Sequence, residues 1–303
     1  MRNVIRGVEE FLFADGSPLN LAVTRILLAA TALWVLLSRP GMTATLTFPT
    51  EMWTFVSNAR RVRFLYGLPF PVEQILYFIL HVTLVLVIIG VFPRIASFVS
   101  ALLLYHFAPL ETILWTPNPY LRGFTIPILG LLVAAFSRSG DALAIFKPKR
   151  SSESPGDYRW PLILIHLFFV QIYFFAGYSK LFASGFRWIE AGNISRYLLL
   201  LNQYLGFPRD SWGYLLAPHP LLCGAIAWTG MFFDLLFPIV LFYPRSRRVM
   251  IPLAIVFHIA NAVLFRIMFQ NVFLLLTFVD WAWVAARVRS LRPSAGRKLV
   301  AEF

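Results

Sequence analysis

From Trp160 to Leu181 the chain reads WPLILIHLFFVQIYFFAGYSKL, 22 residues with a single formal charge at Lys180. At about 1.5 Å rise per residue such a run matches the roughly 30 Å hydrocarbon core of a bilayer. Backbone N–H and C=O groups find no water at that depth, so the run is read as a helix that satisfies them internally. Comparable apolar segments recur at Leu19–Ser38, Glu73–Val91, Ile95–Ala108, Arg122–Phe136, Leu221–Tyr243, Val249–Phe269 and Asn271–Ala286. The third and fourth of the eight are short and the last two nearly abut. Charged residues make up 14% of the chain, against about 25% in a soluble domain. The implied fold class is all-α, a polytopic transmembrane helix bundle of about eight spans. No hydrophilic stretch is long enough to fold separately, so residues 1–303 read as one domain.

Between the apolar runs lie Pro40–Pro71, Lys147–Arg159 and Phe186–Pro220. The last holds ISRYLLLLNQYLGF, apolar but too short to span, which predicts an interfacial or re-entrant segment around 186–220. With eight spans, 16 lysines and arginines fall on the side of the termini and nine on the other. The positive-inside bias then puts both termini in the cytoplasm of a multi-pass cell-membrane protein, with Lys180 near the outer face. The net charge of +13 is read as this bias plus attraction to lipid headgroups, and no basic module for nucleic acid is present. The first 18 residues show no cleavable signal pattern, so the first span is expected to act as an uncleaved anchor. A lone cysteine, Cys223, excludes an internal disulfide and a cysteine metal cluster, and no metal site is expected.

Lys180 is the first candidate site residue, because a charge inside an apolar helix is costly and marks function by default. The bland alternative is a lysine reaching for the headgroups. Asp234 and His258 form a second candidate. Each lies nine residues from the Pro244–Arg248 turn, about 13 Å deep, and Asn261 shares a helical face with His258. A carboxylate orienting an imidazole, or a plain helix–helix hydrogen bond, would both suit that register. His81, His106 and His166 occur singly on separate segments and are read as packing hydrogen-bonders. No pairing of histidines at common depth supports haem.

YFFAGYSKL followed by RWIEAGNISRYLL is similar to a signature of the vitamin K-dependent gamma-glutamyl carboxylases and their HTTM (horizontally transferred transmembrane) relatives. WTPNPYLRG, FFDLLFPIVLFYPRSR, FHIANAVLFRIMFQNVFLLL and ADGSPLNLAVTRILLA extend the resemblance in order along nearly the whole membrane region. It implies that Lys180 acts as the base on reduced vitamin K or a menaquinone-type quinol, with O2 as oxidant; His258, at a position the family shares, is the second catalytic candidate. Trp115, Asn118, Tyr178, Trp188, Asp234 and Asn261 are then expected to line the substrate and quinone site. A lysine is a base only when neutral, and desolvation by residues such as Tyr173, Phe174 and Phe175 favours that form. Asn118 stands where the carboxylases carry a histidine assigned to carboxylation, so CO2 addition is not expected here. The large extramembrane region that helps the carboxylases hold their substrate is not expected here either. Three classes stay open: a quinol-oxidising enzyme acting on an unidentified substrate, a peptide among the candidates; a non-catalytic factor for maturation or export of a small peptide; and a transporter, which no inverted repeat favours. Membrane lipids are the other expected partners.

Overall fold

The computed structural model describes residues 2–38, 47, 68–108, 122–146 and 155–291. In chain order these form α1 (Arg2–Phe13), α2 (Pro18–Leu37), α3 (Phe70–Ile89), α4 (Pro93–Phe107), α5 (Arg122–Phe136), α6 (Arg159–Ser184), α7 (Ala191–Tyr204), α8 (Trp212–Leu216), α9 (Pro220–Leu236), α10 (Ile239–Phe242), α11 (Arg247–Leu264) and α12 (Trp281–Leu291). A 3-10 segment, Gly185–Ile189, joins α6 to α7, and another, Gln270–Phe278, lies between α11 and α12. No strand occurs among the described residues.

Helix length does not carry the count of eight spans. Among the described residues four helices are long and apolar enough to cross a bilayer, within Pro18–Leu37, Phe70–Ile89, Gly156–Ile189 and Pro244–Leu264. A fifth crossing arises if Gln270–Phe278 and Trp281–Leu291 count together, although they meet at 70°. The remaining expected spans are shorter for local reasons. Leu221–Tyr243 is interrupted after Leu236, where Pro238 has no N–H to continue the ladder. Val249–Phe269, whose helix is the last of the four counted above, also ends early, at Leu264, and Arg266 two residues on has φ 56°, a left-handed conformation that ends a helix. α4 and α5 have 15 residues each, about 22 Å of helix.

The main core gathers one face from each of α2, α3, α4, α5, α6, α9 and α11 around Leu28, Leu84, Phe107, Phe124, Phe169 and Phe237. Arg25, fully buried on α2, donates to the carbonyls of Ser139 (2.6 Å) and Leu143 (2.7 Å) just past α5. A smaller cluster joins Ile189, Ile194 and Leu198 to Cys223, Ala227 and Met231. The apolar segment expected to stay at an interface is therefore packed along the first half of α9. The fully buried Asn202 fixes its far end: its amide donates to Leu264 O (3.0 Å) and accepts from Ser211 Oγ (2.9 Å).

Candidate functional site

α6 and α9 approach closely because α6 carries Gly177. A Cβ there would lie 2.9 Å from the backbone N of Leu235 and 3.0 Å from Asp234 Cβ, so any larger side chain would hold the helices apart. One turn further along α6, Lys180 reaches across this contact and donates to Asp234 Oδ2 at 2.5 Å. The carboxylate side chain is 4% exposed and the lysine 23%, so the pair is closed on the aspartate side and open on the lysine side.

A third group covers the ammonium. α6 ends at Gly185, whose φ of 57° and ψ of −144° suit glycine, and the chain doubles back through the 3-10 turn. That brings the Trp188 ring to 5.6 Å from Lys180 Nζ, a cation–π arrangement. Asn193 donates to the Trp188 carbonyl (3.1 Å) and holds the turn in place, while Tyr197 packs on the indole at 5.6 Å. The run RWIEAGN thus folds as a cover for the lysine.

Deeper by two turns of α6, Tyr173 lies on the face of Lys180 and is buried. Its hydroxyl meets His258 Nε2 at 2.5 Å, its ring stacks on Phe237 at 4.0 Å, and Phe233 lies edge-on at 5.8 Å. Asp234 is an electrostatic neighbour of the same hydroxyl. His258 Nδ1 is buried without a partner among the described residues. Two polar couples, Lys180–Asp234 and Tyr173–His258, therefore follow one another through an aromatic interior.

This corrects the expected pairing of Asp234 with His258. Asp234 points to α6, where the glycine lets the backbones close up, and His258 is taken by Tyr173. Asn261 does not join either couple; its amide donates to Phe257 O on its own helix (2.8 Å). Tyr178 is on the opposite face of α6 from Lys180, 45% exposed and stacked between Phe174 and Phe182 at 6.3 and 5.6 Å. Trp115 and Asn118 lie outside the described residues. Sequence reasoning overlooked Tyr173 as a polar group and Gly177 altogether; the spacing Tyr173, Gly177, Lys180, at i, i+4 and i+7, is the signal that could have found them.

His166, which is buried, and the half-buried His81 and His106 each have a hydrogen-bonding partner. His166 Nε2 meets Thr277 O at 3.0 Å, His81 Nδ1 meets Tyr77 O at 2.8 Å, and His106 Nε2 meets Glu73 at 2.7 Å. Among the described residues no group of three His, Cys, Asp or Glu side chains could hold a metal ion.

A lysine–carboxylate pair under an indole can hold, accept and return a proton, and its open side is the lysine. Set against known families, the chain matches the model of the HTTM domain over residues 13–283. No curated protein and no solved structure matches it.

Proposed function

The chain belongs to the HTTM domain family, and we propose that in this membrane protein Lys180 and Asp234 form the proton-accepting centre of a quinol-oxidising enzyme. The observation that carries the reading is the ion pair itself, a carboxylate enclosed between α6 and α9 and bonded to a lysine that stays partly open. The donor set fits a reduced naphthoquinone: an amine for an acidic hydroxyl, with the Trp188 indole beside it to face a flat ring. When bound, such a quinol supplies the electrons that reduce O2.

The chain's own part is proton handling. At rest the Lys180 ammonium donates to Asp234. Transfer of that proton to Oδ2 leaves a neutral amine on the open side, the form able to take a proton from a hydroxyl. Once Lys180 has done so, the pair carries one positive charge, which holds the substrate's new negative charge beside Trp188. Behind Asp234 the Tyr173 hydroxyl is hydrogen-bonded to His258, whose imidazole is the next group able to accept a proton. Asn118, by contrast, has no titrating group near neutral pH. The activity is therefore assigned without CO2 fixation, on a substrate for which a peptide is a candidate. Both termini are assigned to the cytoplasm of the cell membrane, with Lys180 towards the outer face.

Oxygen uptake by the purified protein with reduced menaquinone tests this. Wild type is expected to consume oxygen, and Lys180→Ala and Asp234→Asn to lose that turnover. Lys180→Arg should lose it too, since guanidinium stays protonated. A folded Lys180→Ala protein that turns over quinol at the wild-type rate defeats the assignment. A wild type without uptake returns the protein to the non-catalytic reading.

A further inference from the structure

At the end of the bundle far from Lys180, the chain leaves the 3-10 segment Gln270–Phe278 and turns 70° into α12. Phe278 lies there beneath Arg247, the first residue of α11, at 5.8 Å. The sequence reading makes α12 the end of a span; instead none of its residues is buried. Its start is nonetheless fixed: Asn20 on α2 donates to Asp280 Oδ1 (3.1 Å) and accepts from the backbone N of Ala282 (3.0 Å). Between the pinned corner and the splayed helix is an open groove of about 330 Å³, lined by Leu19 and Val23 of α2 and by Trp281, Val284, Ala285 and Val288 of α12. Among the described residues Arg289 is the charged one in the lining, and Arg287 is exposed on the same helix.

We propose that this wedge binds an anionic phospholipid, one acyl chain lying in the groove and the phosphate at Arg289. The spacing Trp281, Val284, Ala285, Val288 makes one apolar face at i, i+3, i+4 and i+7, while arginines follow it, the pattern of a helix that lies in the interface plane. The groove has room for about ten water-sized groups, yet its walls give water almost no partners. A hydrocarbon chain suits those walls, and only an anionic head suits the cation at their edge. The inference does not depend on quinol chemistry.

Native mass spectrometry of the full chain, released from micelles with equal phosphatidylglycerol and phosphatidylcholine, reads the site directly. Wild type is expected to retain one phosphatidylglycerol in preference. Arg289→Gln should cut the preference about fivefold, the effect of one cation near a membrane surface. Val284→Trp and, from the α2 side, Val23→Trp should fill the groove and reduce retention of both lipids. Should one tryptophan variant fail to fold, the other decides. Equal retention by Arg289→Gln and a folded tryptophan variant overturns the proposal, as does a chain dimer joined through Val288 in place of bound lipid.

Discussion

Removing the two halves of the Lys180–Asp234 pair should have unequal effects, because the halves differ in exposure, 23% against 4%. Lys180→Ala leaves a carboxylate between α6 and α9 with its ammonium gone, and loss of one partner from a buried pair costs about 3–5 kcal/mol. Asp234→Ala leaves a lysine on a flexible four-carbon stem at the open end of the contact. That ammonium can swing to the headgroup region, so the loss is closer to the roughly 1 kcal/mol of an exposed pair. The two single variants are therefore expected to differ by about 2 kcal/mol or more, lysine removal being the worse. Removing both should regain much of the loss caused by Lys180→Ala, since no lone charge remains. Reversible unfolding in mixed micelles, followed by circular dichroism as the fraction of denaturing detergent rises, gives all three values as a double-mutant cycle. Equal losses for the two single variants, or a double variant as unstable as their sum, would refute the argument that only the lysine has an escape route.

Gly177→Ala should destabilise by about 1–3 kcal/mol through overpacking, because its Cβ meets the backbone N of Leu235 as well as the near ends of the Leu235 and Asp234 side chains; an unchanged melting curve would contradict the close approach. Asn202→Leu removes the amide that serves Leu264 O and Ser211 Oγ and should cost about 1–3 kcal/mol for the polar groups left buried, measured by the same unfolding assay. For topology, a cysteine placed at Trp188 should react with an impermeant thiol reagent in intact cells and one at Ser246 should not. The single native thiol, Cys223, is buried and gives little background. Labelling in the opposite sense would reverse the assigned orientation.

Much of this arrangement is visible in the sequence, and the limits are physical. Lys180 stands out because a charge breaks a 22-residue apolar run, whereas Trp188 enters only through the resemblance carried by RWIEAGNISRYLL. Counting residues from expected helix ends gives Asp234 and His258 a common depth and so suggests a pair. Depth says nothing about the direction in which a side chain points around its helix, and direction decides the partners: Gly177 draws Asp234 to α6, leaving His258 to Tyr173. Hydropathy finds the apolar segments but not their breaks. Pro238, the left-handed Arg266 and the 70° bend before Trp281 leave apolar composition almost unchanged while shortening or redirecting the helices. Asn202 escapes notice because an amide near the end of a short apolar helix looks like one that faces water.

Arg25 has a consequence for how the protein is made. Its two acceptors, the carbonyls of Ser139 and Leu143, are 114 and 118 residues downstream. At about 5–20 residues per second, a ribosome needs roughly 6 to 24 s to deliver them after Arg25 itself has been synthesised. For that interval the first long apolar helix carries a guanidinium that has neither of its final partners, against an insertion penalty of about 2.5–3.5 kcal/mol for an arginine at mid-helix. The order of synthesis thus runs opposite to the order of stabilisation: α2 enters the bilayer first and is locked in place only when the end of α5 arrives. A nascent chain arrested before Ser139 should hold α2 loosely, open to sliding or to extraction by quality-control proteases, whereas one arrested after Leu143 and clear of the exit tunnel should hold it firmly.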